Sequence, residues 1–234
     1  MSGGQVHGKS SDSPVAVCED VSRTFGSGSA AVVAVRHADC ELRRGMHVAL
    51  TGRSGSGKST LLHLLAGLDW PSDGSVSWPG LGGNPRELTP GMVGFVFQTP
   101  SLISTLDVLE NVSLPLVLAG LESDVAATEA RRALDVVDVG ELAHQLPDEL
   151  SGGQAQRVAV ARALVSQPVV IFADEPTGQL DWTSAATVAS ALVDAAVHNN
   201  SALVVATHDE RVAGRLTERW HIDDGELRSD TGGV

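Results

Sequence analysis

Gly52-Arg53-Ser54-Gly55-Ser56-Gly57-Lys58-Ser59, followed by Thr60, is the stretch from which the fold can be read. Its spacing satisfies G-x-x-x-x-G-K-[ST], a glycine-rich loop whose backbone N–H groups can cradle phosphates. The flanks agree with that reading. His47–Thr51 reads as a short buried strand, and Leu61, Leu62, Leu64 and Leu65 form a helical run that stops near Gly67. The glycines therefore fall between a strand and a helix N-terminus, where free N–H groups and the helix dipole favour an anion. The chain uses only two lysines against fourteen arginines, and one of the two is Lys58. A compact ammonium reaches β- and γ-phosphates as a point charge, whereas a planar guanidinium needs more room.

Working outward, the 234 residues, 42% of them hydrophobic, suffice for one large domain with an inserted subdomain. The net charge of −13 argues against a nucleic-acid partner, which would need a basic face. Cys18 and Cys40 lie 22 positions apart with no C-x-x-C pair, so no structural zinc is expected and both read as small core residues. Met1–Pro14 is polar and rich in Gly and Ser, without the apolar core of a signal peptide. It is expected to be a disordered tail, as is 229–234, leaving 15–228 as a single domain. The longest apolar runs, Val169–Ala173 and Leu203–Ala206, are far too short to cross a membrane. Any membrane role is therefore expected to come through a partner.

Val15–Cys18, Val32–Val35 and Val93–Gln98 read as further strands, with Gly74–Trp78 a weaker one closed by Pro79-Gly80. Leu106–Leu121 is apolar and broken by Pro115. Asp124–Val139 is a helix with Ala130, Ala133, Leu134 and Val137 on one face, and a second helix follows Pro147 with Val158, Ala161 and Val165 on its face. Val169–Ala173 and Ala202–Thr207 are continuous apolar strands, as in a parallel sheet covered on both sides, and a helix over 183–198 joins them into a βαβ unit. The spacing thus predicts an α/β fold of the P-loop NTPase type with a mainly parallel sheet. The helical stretch from about 100 to 165 is expected to be inserted in it.

Two further segments carry chemistry. Val169-Val170-Ile171-Phe172-Ala173 runs into Asp174-Glu175. Asp174 at the strand tip could hold Mg²⁺ opposite the Ser59 hydroxyl, and Glu175 could face an attacking water as general base. Two acids can simply end a strand in a solvated turn, but here a phosphate loop stands 116 positions before them. Leu150-Ser151-Gly152-Gly153-Gln154 also has a plain reading, a capping box of Ser151 and Gln154. That explains neither Gly152 nor Gly153, since two glycines in a first turn weaken a helix. Close approach of this backbone to an anion explains them.

Together these segments resemble the nucleotide-binding subunit of an ATP-binding cassette (ABC) transporter, from about Val15 to Leu227. The resemblance adds an N-terminal antiparallel β part and assigns further residues. Gln98 is similar to the Q-loop glutamine that senses Mg²⁺ and contacts the membrane subunit. Asp181, in Gly178-Gln179-Leu180-Asp181, resembles the D-loop aspartate, His208 the switch histidine on the γ-phosphate, and Phe25 the aromatic that stacks on adenine. Leu68-Asp69-Trp70-Pro71, Gly94–Gln98, Glu110–Leu116 and Thr177–Asp181 resemble the ATPases of macrolide-export and lipoprotein-release systems, to which the cell-division ABC ATPase is related. The chain departs from that group in having Gln179 where Asn is usual. It also has a shorter stretch between Gly74 and Gln98, without an arginine-bearing helix.

The resemblance implies ATP and Mg²⁺ as cofactors and a homodimer in the ATP-bound state. In that dimer Ser151, Gly152, Gly153 and Gln154 of one chain would close on the loop of the other. It also implies a transmembrane permease subunit at the cytoplasmic face of the membrane, with the apolar Leu106–Leu121 region as candidate docking surface or as ordinary helical core. Export or release of a substrate is one function this permits. An ATPase cycle that signals mechanically to an extracytoplasmic enzyme is another. A soluble ABC ATPase of DNA repair or translation fits less well, because 93 positions separate Lys58 from Ser151, one cassette is present and the charge is acidic.

Overall fold

The computed structural model describes residues 13–84, 86 and 91–229. Of the expected tails 1–14 and 229–234, residues 1–12 and 230–234 lie outside the described residues, as do 85 and 87–90. The Pro14 carbonyl instead accepts from the Gly80 N–H at 2.7 Å and Ser229 ends the last strand, because both pair with neighbouring backbone. Among the described residues nine strands form one mixed sheet: β1 (Ala16–Phe25), β2 (Val32–Leu42), β3 (His47–Thr51), β4 (Asp73–Ser77), β5 (Val93–Val96), β6 (Val170–Asp174), β7 (Ala202–Ala206), β8 (Glu218–Asp223) and β9 (Glu226–Ser229). Their order across the sheet is β4-β1-β2-β9-β8-β3-β7-β6-β5. The run from β8 to β5 is parallel, with Ala49 opposite Val205 and Arg219, and Asp174 opposite Ala206. The β1-β2-β4 part is antiparallel.

Six α-helices among the described residues accompany the sheet: α1 (Lys58–Leu65), α2 (Val108–Leu118), α3 (Ser123–Val136), α4 (Gly152–Leu164), α5 (Trp182–Asn199) and the short α6 (Glu210–Ala213). The continuous apolar strands have the physical reason the sequence implied. Val170 and Phe172 of β6 join a core with α1, β1 and β2, while Ile171 and Ala173 face a second core with α2 to α5. Alternate residues of β7 divide in the same way, Val204 with the first core and Leu203 and Val205 with the second.

Several boundaries differ from expectation. β1 and β2 are longer than Val15–Cys18 and Val32–Val35, and irregular pairing around Val21 and Arg23 accommodates left-handed Asp20 and His37. These kinks interrupt the alternation that a sequence reading relies on. β8 and β9 were not foreseen, although Asp224-Gly225, both at positive φ, joins two alternating strands whose Trp220 and Ile222 are buried. Pro115 does not break its segment. α2 passes through it, the ring removing only the bond that would run to the Asn111 carbonyl. Cys18 and Cys40 are direct cross-strand partners against the first core, and the Cys18 thiol beside it raises the Cys40 thiol well above its usual range.

The passage from β5 to α2 is fixed by Asn111. Its Oδ1 accepts from the Ile103 N–H at 2.8 Å, and its Nδ2 donates to the carbonyls of Ile103, Leu106 and Asp107 at 3.1, 2.9 and 3.0 Å. The side chain is completely buried, so truncation strands backbone groups away from water. Asn111→Ala should therefore lower the unfolding free energy by about 1–3 kcal/mol in a urea titration, with the m-value unchanged.

Candidate functional site

The loop 52–57 is seated by what its glycines touch. A Cβ at Gly57, where φ is +110°, would stand 2.1 Å from the Ala34 carbonyl oxygen of β2. One at Gly52 would stand 2.2 Å from the Ile222 carbonyl oxygen of β8. The loop is thus pressed against backbone on one side, and the Gly225 N–H donates to the Ser56 carbonyl at 3.0 Å. Gly57 precedes α1, so the first N–H groups of the helix open at the loop. Lys58 is buried, and its ammonium donates to the Gly52 and Arg53 carbonyls at 2.9 and 3.0 Å. Its third direction leads to Glu175 Oε1, 4.0 Å away.

A cavity of about 470 Å³ opens in front of the loop, lined by Ser54, Gly55, Lys58, Ser59, Gln98, Asp174, Glu175, Gly178, Gln179 and His208. Residues from four separate segments meet there because β3, β6 and β7 end side by side, with β5 next to β6. Asp174 closes β6, and its Oδ1 is buried without a hydrogen-bond partner. Glu175 leaves the strand at φ +46°, its N–H donating to the Ala206 carbonyl at 2.9 Å. Its Oε2 lies 2.9 Å from His208 Nδ1, so the carboxylate stands between a lysine and a histidine. Gln98 follows β5, which ends at Val96 rather than at Gln98 as the sequence suggested. There the Phe97 carbonyl accepts from Gln156 Nε2 at 3.1 Å, and Arg162 donates to the Ser101 carbonyl and hydroxyl, both at 2.9 Å. The helix α4 thereby holds the segment that carries Gln98.

Other sequence-selected residues stand elsewhere. Arg53, Ser56 and Thr60 belong to the loop and α1 without lining the cavity. Phe25 ends β1, 43% exposed and outside the cavity wall. The Arg23 guanidinium covers one face of its ring at 4.5 Å and forks onto Asp69 through two 2.9 Å bonds. Asp181 caps α5, accepting from the Thr183 and Ser184 N–H groups at 3.0 and 3.1 Å. The Ser184 hydroxyl on it lowers its pKa.

Ser151 and Gln154 form the foreseen capping box of α4. They, Gly152 and Gly153 are absent from the cavity of their own chain. A Cβ at Gly152 would meet nothing within 4 Å, and one at Gly153 only a leucine side chain at 3.4 Å. Nothing in this chain's own packing explains the first of these glycines. The sequence reading did not single out Gly178 as a cavity residue, nor Asp209 with Arg211 and Trp182 that adjoin it in turn. Only their closeness to Asp181 and His208 in the chain hinted at a role.

Residues 35–178 match the family model described as ABC transporter. The chain is 42% identical over 214 residues to the lipoprotein-releasing system ATP-binding protein LolD of Hydrogenovibrio crunogenus, covering 89% of this chain and 93% of that one. It is 43% identical over 216 residues to the protein of the same name from Granulibacter bethesdensis, covering 89% and 94%. Among solved structures, a dimeric ATP-binding cassette in a post-hydrolysis state with ADP and Pi bound superimposes with a TM-score of 0.84. It is 32% identical, and the match covers 92% of this chain and 97% of that one.

The two tight contacts of the loop give a stability test. Gly57→Ala meets a carbonyl oxygen as well as an unfavourable φ, whereas Gly55→Ala, at φ +78°, meets nothing within 4 Å. Gly55→Ala should cost about 1–2 kcal/mol and Gly57→Ala clearly more, read as two separated midpoints in thermal unfolding.

Proposed function

The chain belongs to the ABC transporter family as an ATP-hydrolysing cassette, and from that premise we propose that it powers a membrane permease of the lipoprotein-release type through an ATP-sandwich dimer. One observation carries the dimer. Lys58, Ser59, Asp174, Glu175 and His208 converge on one cavity, while the glycine-rich start of α4 faces open space. A second copy placing its Ser151-Gly152-Gly153 backbone over the γ-phosphate gives those glycines a purpose, since a helix N-terminus is a site for an anion.

In this reading the loop N–H groups and Lys58 hold the β- and γ-phosphates. The phosphate competes with Glu175 for the third ammonium proton. Phe25 offers its uncovered face to the adenine, with Arg23 fixing the other. Glu175 orients the attacking water and takes its proton as the water oxygen bonds to the γ-phosphorus and the bond to the β–γ bridging oxygen breaks. His208 donates to a γ-phosphate oxygen. Mg²⁺, when bound, neutralises charge on the phosphate oxygens. Ser59, Asp174 and Gln98 would hold it. All three offer the oxygen donors this ion prefers, and the buried, unpartnered Asp174 Oδ1 is suited to it. Among the described residues no group of three His, Cys, Asp or Glu could hold a metal.

The permease would dock beside the segment that carries Gln98. A groove of about 350 Å³ lies there between β5, α2 and α4, with Phe95, Phe97, Leu114, Pro115 and Leu118 in its wall. The apolar Leu106–Leu121 region divides accordingly. Val108, Val112 and Leu116 are core, while Leu118 is 62% exposed. No helix among the described residues is long and apolar enough to cross a membrane, so the assembly would sit at the cytoplasmic face through that partner. We treat 15–228 as one nucleotide-binding unit with the helices of about 100–165 as its inserted arm. Similarity to lipoprotein-releasing relatives favours substrate release over purely mechanical signalling.

Gly152→Asp tests the composite site. An acid at a helix start is compatible with folding, and the chain's own loop is intact, so ATP binding should persist while hydrolysis collapses. Mixing this variant with Lys58→Ala should restore one working site per mixed dimer. Loss of ATP binding by the isolated Gly152→Asp monomer would contradict the arrangement. Glu175→Gln removes the base and leaves Ser59 and Asp174 in place, so ATP should bind uncleaved. Size-exclusion chromatography should then show a dimer with ATP and a monomer without it. Wild-type turnover in this variant would remove Glu175 from the catalytic role.

A further inference from the structure

We propose that Trp182 and Arg211 form a clamp that positions His208, a role that rests on the hydrolytic reading above. The His208 ring reaches Glu175 Oε2 at 2.9 Å but is otherwise largely exposed, so its placement depends on the backbone on either side. On the first side stands Thr207, buried, with its N–H donating to the Leu50 carbonyl at 3.1 Å. The Thr207 hydroxyl accepts from the Asp209 N–H at 3.0 Å. This anchor belongs to the sheet.

The second anchor reaches across to α5. Asp209 caps α6 by accepting from the Arg211 N–H at 2.9 Å. The Arg211 guanidinium forks onto both carboxylate oxygens, Nε to Oδ1 at 2.8 Å and Nη2 to Oδ2 at 2.6 Å. That same guanidinium lies over the Trp182 ring, 4.3 Å from its centroid. Trp182 is the first residue of α5, directly after Asp181. Contacts therefore run without a gap from Asp181 through Trp182, Arg211 and Asp209 to His208 and Glu175. The indole is 64% exposed, so core burial does not account for a tryptophan here. Its partner is a cation that is itself fixed to the residue after His208.

Neither side chain lines the cavity that holds Lys58, Glu175 and His208. Their effect passes through the setting of His208 against Glu175, and it bears on turnover rather than on binding. The clamp also joins the start of α5 to the loop that carries His208.

Steady-state hydrolysis of Mg-ATP by the full chain tests this. Trp182→Ala should lower kcat about two- to fivefold, the scale of one exposed cation–π contact, and Arg211→Met, which also removes the fork onto Asp209, at least as much. KM for ATP and the affinity for a fluorescent ATP analogue should not change. Trp182→Phe keeps an aromatic face and should retain the wild-type kcat. The double variant should be no slower than the slower single one, because both remove the same contact. Multiplied losses in the double variant, a loss confined to KM, a Trp182→Phe as slow as Trp182→Ala, or unchanged kcat throughout would each overturn the clamp. If Trp182→Ala does not fold, Arg211→Met decides the matter, since that side chain is 63% exposed. Lys58→Ala separates the two levels. If it hydrolyses ATP like the wild type, the hydrolytic reading fails. If it is inactive while the clamp variants are normal, only the clamp fails.

Discussion

The carbonyl oxygens of Ala34 and Ile222 approach the loop at 52–57 so closely that Gly57 and Gly52 admit no side chain, and the geometry of the site descends from that contact. A loop pinned from behind by two strands can open only toward the cavity. Its lysine is then placed by backbone: the Gly52 and Arg53 carbonyls take two of the three ammonium protons, so the cation is located by the turn rather than by a flexible stem. The parallel alignment of β3, β7 and β6 brings Asp174 and Glu175 opposite. β2 and β8 are therefore as much part of the nucleotide loop as its own residues.

The carboxylate of Glu175 illustrates how the chain spends conformational freedom at this place. A left-handed backbone costs a non-glycine residue about 1–3 kcal/mol. Here the N–H is anchored on Ala206, and the side chain is directed between Lys58 and His208. The start of α4 is the opposite case. Its capping box is complete and unstrained, yet Gly152 has no neighbour. One half of the site is over-determined within the chain, and under the proposed dimer the other half is left for a second molecule.

How much of this could be read from residues depended on whether the signal was local. The strand before the loop, the leucines of α1, the two-sided apolar runs of β6 and β7 and the cap at Ser151 are all set by neighbours in sequence, and they were legible. The extended β1 and β2 were cut short because left-handed Asp20 and His37 interrupt their alternation. β8 and β9 carried a readable hairpin, alternating residues around Asp224-Gly225, that went unread. Pro115 looked like a break because sequence cannot show that Asn111, bonded to four backbone groups, already fixes the first turn of α2. The support of the segment at Gln98 by Gln156 and Arg162 joins positions 59 and 61 residues apart, and only the tertiary fold could reveal it.

The seating of the loop on Ile222 has a consequence for how the protein is made. The loop at 52–57 is synthesised about 160 residues before β8, the strand that backs Gly52. β3 likewise waits for β7 and β8, both synthesised more than 150 residues after it. Contacts so distant in sequence form late. During translation the emerging glycine-rich turn therefore has no wall behind it, and Lys58 has no opposing acid. The growing chain stays unable to grip nucleotide until its C-terminal hairpin closes the sheet.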